Sequence, residues 1–286
     1  THTHRDPEGA GPKLSWLGDV PKLNTKLEVE EFQAQAVVPD GRPLVGTMVF
    51  METGADMEQS LEELAWMSSI APKDARLVGA VLQAPVEDAA ACRSHVTKLL
   101  ENPLVKGIRR LIQGNGLGFC NTAEFKAGVG VLAEFGLPFD LCVFHPQLPD
   151  VVELVAACPD VTFVLDHLGK PAIKVSGRAE HELEPWREHI SQLAALPNVL
   201  CKLSGATTEA DHDSWTPADL KPYVTHCVEA FGWDRVVYGG DWPVATLATE
   251  YPRFIAALAE CLPDATPEQL RKLFIDNARR VYNLGS

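Results

Sequence analysis

Short apolar runs alternate with longer segments of helical periodicity along most of the chain. The run at residues 161–165 is almost entirely apolar, which is typical of a parallel strand covered on both faces. Asp56, a helix N-cap candidate, follows an earlier run and precedes apolar positions at helical spacing. The pattern predicts seven strands, at residues 44–51, 77–82, 105–112, 139–144, 161–165, 199–203 and 236–238. Helices are predicted after them, at about residues 57–68, 87–100, 122–135, 148–157, 185–196, 219–231, 251–261 and 267–282.

This alternation predicts an α/β protein, a single (β/α)8 TIM barrel in which residues 1–286 form one domain. Seven βα units are visible, and the motif His2-Thr3-His4 stands where an eighth strand would end. A doubly wound sheet is the alternative, but such sheets usually carry a glycine-rich phosphate-binding turn after the first strand. Neither GxGxxG nor GxxxxGK[ST] occurs in the sequence, which favours the barrel. Residues 8–35 are expected to form a long loop near the barrel mouth.

Charge and cysteine content narrow the functional class. Lysine and arginine total 25 against 39 aspartate and glutamate residues, a net charge of −14, which disfavours nucleic acid and anionic membranes as partners. No apolar run approaches the roughly 20 residues that a transmembrane helix needs. The seven cysteines are scattered without a CxxC pair, which predicts reduced thiols and a cytoplasmic protein. A small-molecule substrate is the expected partner, and the sequence leaves a homo-oligomer open.

Polar side chains follow almost every predicted strand. In barrel enzymes the catalytic residues lie at the carboxyl ends of the strands, so this position predicts an active site. The set comprises His2, His4, Glu52, Arg109, Gln113, His145, Asp166, His167, Lys202, Ser204, Asp241 and Trp242.

The histidines and Asp241 suggest a metal site or an acid–base site. In an extended segment His2 and His4 point the same way, and neutral imidazole is a common zinc ligand. A frayed terminus is the alternative for this pair. His145 and His167 each follow an apolar strand, where a hydrogen-bonded rim residue is the alternative. Asp241 lies in a GGDWP sequence, and a turn or N-cap aspartate is its alternative.

Two cations lie inside strands that otherwise look buried. Arg109 and Lys202 must find anions there, because an unpaired buried charge is costly. The partner is either a substrate or a protein carboxylate, with Glu52 and Asp166 as candidates. The indole rings of Trp16 and Trp242 either wall a substrate pocket or serve as ordinary packing.

Other catalytic patterns are missing from the sequence. No GxSxG nucleophile elbow and no HExxH zinc motif occurs, so a serine hydrolase and a zincin are unsupported. Cys142 and Cys201 lie within predicted strands and are interpreted as core residues rather than nucleophiles.

Several sequence motifs together resemble the amidohydrolase superfamily, in its amidohydrolase-related lactonase branch. The resemblance covers nearly the whole chain, and members of this branch hydrolyse sugar-acid lactones, such as L-fucono- and L-rhamnonolactone, or the pyrone dicarboxylate of lignin breakdown. It is carried by THTH at residues 1–4, KGIR at 106–109, DHLGKP at 166–171, CKLSG at 201–205, GDWP at 240–243 and NARR at 277–280.

The resemblance implies roles for individual residues. Asp241 would be the general base that takes a proton from the attacking water, and His2, His4 and His167 would bind a metal or polarise the lactone carbonyl. Arg109 would hold a substrate oxygen. The remaining predicted substrate contacts are His145, Lys202, Trp16 and Trp242, with Arg5 as a further helper.

The resemblance also bears on the number of metal ions and on their ligands. The branch lacks a clear carbamylated lysine after strand four, where this chain has Arg109, so one divalent metal or none is expected rather than two. Zinc is the expected ion, with His2, His4, Glu52 and Asp241 as its ligands, and metal-independent hydrolysis is the alternative. A zinc-dependent decarboxylase of the same superfamily and a catalytically inactive binding scaffold are the competing functions.

Overall fold

The computed structural model describes residues 11–174 and 183–285. Its strands are β1 (Met48–Met51), β2 (Leu77–Leu82), β3 (Val105–Arg109), β4 (Phe139–Leu141), β5 (Phe163–Leu165), β6 (Val199–Leu203) and β7 (Val236–Tyr238). Its helices are α1 (Val29–Gln35), α2 (Ser60–Ile70), α3 (Ala89–Leu99), α4 (Ala123–Phe135), α5 (Leu148–Ala157), α6 (Glu184–Ala194), α7 (Pro217–Phe231), α8 (Tyr251–Cys261), α9 (Pro267–Arg271) and α10 (Asn277–Val281). All seven strands predicted from the apolar runs are therefore confirmed.

The strands form one parallel sheet in chain order. Each strand from β1 to β7 pairs with its successor, and every pairing is parallel. A doubly wound sheet reverses its strand order at a switch point, and this sheet has no such reversal among the described residues. The α/β class and the seven-stranded parallel sheet are thus established. The eighth strand predicted beside His2 and His4 falls outside the described residues.

Successive residues of each strand point to opposite faces of the sheet. On the outer face, side chains such as Phe139 and Phe163 pack into a large core beneath the helices. On the inner face, Val164 and Leu200 belong to a much smaller apolar cluster. The same alternation puts three ionisable residues on the inner face, and these are Arg109, Asp140 and Lys202, all buried.

The first helix corrects one prediction. Residues 8–35 were expected to form a loop, but residues 29–35 form α1. The backbone N–H of Glu28 donates to Glu31 Oε2 at 2.9 Å, which satisfies a free donor at the helix start. Phe32 is fully buried and packs edge-on against the rings of Trp242 and Tyr251. This contact with distant residues stabilises a helix that is too short to be stable alone.

Two further predictions concern membrane-spanning helices and the cysteine thiols. Among residues 11–174 and 183–285, every helix is too short or too polar to span a lipid bilayer. All seven cysteine thiols are buried. The thiols are therefore part of the packed interior.

Candidate functional site

Six of the predicted site residues line a cavity of about 510 Å³. Its lining includes the ends of β3, β5 and β6 and the segment after β7, and it also runs along the gap between β1 and β7. Among the predicted residues, it is lined by Arg109, Asp166, His167, Lys202, Ser204 and Asp241.

An unusual backbone turn places His167 in this cavity. His167, Leu168, Gly169 and Lys170 have φ values of +55°, +54°, +68° and +46°, so four successive residues are left-handed. Such conformations cost non-glycine residues on the order of 1–2 kcal/mol each and are held by surrounding structure, often at functional sites. Here Leu168 is fully buried, and its carbonyl accepts a hydrogen bond of 2.8 Å from the indole of Trp186.

Asp241 faces His167 across the cavity. The Asp241 Oδ1 atom lies 3.8 Å from His167 Nε2, and both side chains are buried. Ser204 Oγ lies 2.8 Å from the other ring nitrogen, Nδ1, and so fixes the ring plane. Gly205 packs beneath both groups: a Cβ there would lie 2.7 Å from His167 Nδ1 and 3.1 Å from Asp241 Oδ2. The site therefore requires glycine at position 205.

The imidazole of His167 is neutral at physiological pH. Burial lowers its pKa to about 4, although the nearby carboxylates of Asp241 and Asp166 oppose that shift. A neutral ring has one lone pair available, so it can accept a proton, bind a metal or donate a hydrogen bond according to its tautomer.

Arg109 is fully engaged by protein carboxylates. Its Nε donates to Glu52 Oε1 at 2.6 Å, and its Nη1 donates to Asp166 Oδ2 at 2.8 Å. Its Nη2 also donates to the Glu52 carbonyl at 2.7 Å. The remaining carboxylate oxygen of Glu52 accepts from the Gly54 N–H at 2.7 Å. The structural ion pair, one of the two alternatives for Arg109, is thus present with both candidate partners.

Lys202 is paired in the same way. Its ammonium donates to Asp140 Oδ2 at 2.5 Å and to Asp166 Oδ1. The hydroxyl of Tyr282 donates to Asp140 Oδ2 at 2.7 Å. Burial raises the pKa of Asp140 to about 6, against the charge of Lys202. Burial would also raise the pKa of Asp166, but the charges of Lys202 and Arg109 outweigh it and hold that pKa below its usual range.

A buried carboxyl from the outer helix layer approaches this network. Glu63 in α2 accepts hydrogen bonds from the backbone N–H of Thr53 at 2.8 Å and from the Thr53 hydroxyl at 2.5 Å. Burial, and then repulsion from Glu52, raise the pKa of Glu63 to about 8. Glu63 therefore anchors the loop that follows β1, and it is protonated over most of the physiological pH range.

The other predicted residues lie outside the lining of the cavity. Trp242 is fully buried against Phe32, and its indole N–H donates to Gln35 at 3.0 Å. Trp16 donates to the Thr53 carbonyl at 2.8 Å and packs over the loop after β1. His145 is half-buried in the short 3₁₀ turn that follows β4. Their roles as substrate contacts stay predictions, and His2, His4 and Arg5 lie outside the described residues.

Four residues of this region were missed by the sequence interpretation: Asp140, Tyr282, Glu63 and Lys170. Asp140 carried a usable signal, because it is an acid inside an apolar strand whose alternation turns it inward beside Lys202. Glu63 on α2 and Tyr282 directly after α10 carried none, since the residues that each of them faces are set by the fold. Lys170 was noted only as part of the DHLGKP motif, and its place at the strand ends was not considered.

One group of potential metal ligands is visible among the described residues. Cys142, Asp166 and His167 offer ligand atoms that all lie within 4.8 Å of one another. Both Asp166 oxygens, however, accept from cationic groups, and burial raises the pKa of the Cys142 thiol to about 11. This trio therefore suits a divalent cation poorly. The nitrogen and oxygen donors of His167 and Asp241, which face each other, suit zinc better.

Enzymes built from successive βα units carry their catalytic residues at the carboxyl ends of the parallel strands, which is where His167 and Asp241 lie in this protein. The chain belongs to the amidohydrolase family, whose model matches residues 1–284. The resemblance inferred from the motifs is thereby confirmed.

Individual relatives agree with this assignment. An L-fucono-1,5-lactonase from Burkholderia multivorans (strain ATCC 17616 / 249) is 35% identical over 209 residues, covering 70% of this chain and 68% of that protein. The crystal structure of a Burkholderia multivorans amidohydrolase with bound HEPES has a TM-score of 0.85 at 26% identity, covering 99% of this chain and 97% of that one. A zinc-bound structure of a Burkholderia multivorans amidohydrolase has a TM-score of 0.83 at 26% identity, with the same coverage.

Proposed function

We propose that this protein is a hydrolase that opens the ring of a sugar-acid lactone. The observation that carries the proposal is the approach of Asp241 to the neutral ring of His167, at 3.8 Å, inside the cavity at the strand ends. The similarity to a fuconolactonase supports the same reaction class. Lactones are reactive esters, so an activated water and one polarising group beside the carbonyl are enough for catalysis.

Asp241 is the general base in this mechanism. Its carboxylate takes a proton from a water molecule as the water oxygen bonds to the lactone carbonyl carbon. The ring C–O bond then breaks, and the proton passes from Asp241 to the departing alkoxide. A positioned base of this kind contributes about 10²–10⁴-fold to the rate.

His167 and Ser204 orient the reacting groups. Because Ser204 contacts Nδ1, the Nε2 atom of His167 points toward Asp241 and the cavity. If the ring carries its proton on Nε2, it donates a hydrogen bond to the oxyanion that forms on the carbonyl oxygen. Its low pKa keeps it uncharged, so it does not neutralise Asp241.

A divalent metal fits the donors at this position. His167 and Asp241, together with His2 and His4, would hold zinc, and the ion would polarise the lactone carbonyl when bound. Glu52 remains a predicted ligand, but its two carboxylate oxygens already accept from Arg109 and from the Gly54 N–H. We therefore assign Glu52 to the buried ion-pair network and leave it out of the proposed ligand set.

The segment that carries His2 and His4 completes the barrel in this proposal. In the described part of the chain, β1 and β7 are the two edges of the sheet. The cavity runs between them and is lined there by Met48, Val49 and Tyr238. A strand in this gap would pair with both edges, leave no open sheet edge, and carry its two imidazoles toward Asp241.

The pairing of the inner cations favours an uncharged lactone over a dicarboxylate. Arg109 and Lys202 each pair with two protein carboxylates, so their charges are already balanced without a substrate anion. A pyrone dicarboxylate would require cations for two carboxylates, preferably as bidentate arginines. A polyhydroxylated lactone needs only hydrogen bonds until its ring opens.

A pH-indicator assay on a panel of sugar-acid lactones and the pyrone dicarboxylate tests this function. We expect acid release from at least one sugar lactone, and a loss of about 10²–10⁴-fold in kcat with Asp241→Asn. The variant should keep the wild-type unfolding midpoint, because the amide is isosteric with the carboxylate.

Three outcomes would count against the proposal. Silence of the folded, zinc-supplemented enzyme on the whole panel would exclude lactone hydrolysis, and release of CO₂ from aromatic acids would then identify a decarboxylase. Undiminished hydrolysis by Asp241→Asn would remove Asp241 as the base. Activity on the pyrone dicarboxylate alone would overturn the preference for an uncharged substrate.

A further inference from the structure

The ammonium group of Lys170 lies where three consecutive strands end. Lys170 is the last residue of the left-handed turn after β5. Its Nζ donates a hydrogen bond of 2.5 Å to Oε1 of Gln113, which follows β3. The same atom lies 5.2 Å from the ring centroid of Phe144, which follows β4. The side chain is therefore held in one place by neighbours from two other βα units.

Lys170 differs from the other two cations of the site. Arg109 and Lys202 each contact two carboxylates and are buried. Within residues 11–174 and 183–285, Lys170 forms no ion pair, and its partners are an amide oxygen and the face of an aromatic ring. Neutral partners fix the position of a cation without neutralising it. Lys170 thus keeps its charge available for a bound anion.

The position of Lys170 is also close to the reacting groups. Cys142 Sγ lies 3.4 Å from Gln113 Oε1, the atom that Lys170 contacts, and within 4.8 Å of a ring nitrogen of His167. Burial raises the pKa of Glu209, on the segment after β6, while Lys170 opposes that shift. Lys170 therefore lies near a residue that follows β6 as well as the residues that follow β3 and β4.

We propose that Lys170 binds the carboxylate that forms when the lactone ring opens. The inference rests on the proposed lactone hydrolysis and names the residue that recognises its acidic product. The water oxygen bonds to the carbonyl carbon, the ring C–O bond breaks, and the alkoxide takes one of the two water protons. The new carboxyl group releases the other proton to solvent at neutral pH, so the product carries one new negative charge. One cation with neutral partners matches one carboxylate.

This role predicts an unequal effect on product and substrate. The lactone is uncharged and gains only a hydrogen bond from an ammonium donor. The product acid gains an ion pair as well as the hydrogen bond, because both the ammonium and the carboxylate carry charge. Removal of the charge at position 170 should therefore weaken binding of the acid more than it raises KM for the lactone.

Titration calorimetry with the sodium salts of L-fuconic and L-rhamnonic acid tests the proposal directly. We expect Lys170→Met to weaken binding of the acid that the wild type prefers by about tenfold or more, whereas Lys170→Arg should retain most of it. Lys174→Met is the matched control, because it removes the same charge from an exposed side chain four residues further along. Product inhibition of lactone hydrolysis should weaken in parallel with Lys170→Met.

The possible results distinguish a failure of the Lys170 role from a failure of the proposed lactone hydrolysis. If the wild type hydrolyses a lactone but Lys170→Met binds the acid normally, or Lys174→Met weakens it equally, the role of Lys170 is excluded and lactone hydrolysis stands. Absence of wild-type binding to either acid also overturns the role of Lys170. If the acids bind through Lys170 but no lactone is hydrolysed, the proposed reaction fails while the carboxylate site remains.

Discussion

Charged side chains inside the sheet and charged side chains at its carboxyl edge have different kinds of partners. In the interior, Arg109 and Lys202 each pair with two buried carboxylates of the protein. At the edge, His167 is neutral, Asp241 lies 3.8 Å from it, and Lys170 is held by neutral groups. Charge in the interior stabilises neighbouring protein charges, whereas the charge of Lys170 at the edge has only neutral partners among the described residues.

The two regions also differ in backbone conformation. The interior residues lie on regular strands, where alternation alone turns their side chains inward. The edge residues His167, Lys170 and Asp241 all have positive φ values, between +46° and +55°. Strained backbone of this kind persists only when the surrounding packing holds it, and it concentrates at functional sites. The difference predicts that interior substitutions change stability first, and that edge substitutions change activity first.

Arg109→Met tests the interior most severely. The substitution leaves Glu52 and Asp166 buried without one of their countercharges, and breaking a buried pair in this way typically costs about 3–5 kcal/mol. The free energy of unfolding in urea measures the effect. Arg93→Met is the control, because Arg93 and its partner Glu134 are 48% and 54% exposed, and exposed pairs contribute about 0–1 kcal/mol. Equal losses in the two variants would contradict a structural role for the interior network.

Glu63→Gln tests the pH dependence of the same region. The pKa of Glu63 is about 8 in the folded protein against 4.5 for an ordinary glutamate, so between these values the folded state holds a proton that the unfolded state has lost. Stability should fall by up to about 1.4 kcal/mol per pH unit across that window from this group, and Glu63→Gln should remove the slope.

The measurement is the difference in unfolding free energy between wild type and variant from pH 5 to pH 8. The exposed Glu62→Gln on the same helix should keep the wild-type slope. Parallel curves for wild type and Glu63→Gln would show that Glu63 ionises normally in the folded protein.

Gly205→Ala tests the carboxyl edge with a smaller change. A Cβ at this position would approach His167 Nδ1 to 2.7 Å, and φ is +60°, so the ring must shift. We expect a stability loss of about 1–2 kcal/mol from the left-handed backbone, together with a fall in kcat of roughly 10–100-fold from the displaced imidazole.

Gly136→Ala is the matched control for that experiment. Its φ is +64° and no atom lies within 4 Å of the added Cβ, so it carries the left-handed backbone strain alone. It should lose similar stability but keep kcat. A comparable fall in kcat for both variants would indicate that the fold as a whole, and not the position of His167, limits the rate.

The sequence by itself determined the strands and the residues that end them. Apolar runs of strand length identified all seven strands, because a parallel strand covered on both faces is apolar almost throughout. The position just after each run then indicated His167, Ser204 and Asp241 as a group. This inference needs no long-range information, since parallel strands in one sheet end at the same edge. Helix α1 escaped the pattern because its stability depends on Phe32 packing against distant rings.

Only the tertiary structure decided what the charged residues do. The sequence left Arg109 and Lys202 between a substrate and protein carboxylates, and the folded chain supplies Glu52, Asp166 and Asp140 as partners. Tyr282 joins them from 142 positions along the chain. An ion pair depends on distance and burial, and neither is encoded in the local pattern of residues. For the same reason Lys170, one basic residue among 25, became distinct only when its neutral neighbours were known.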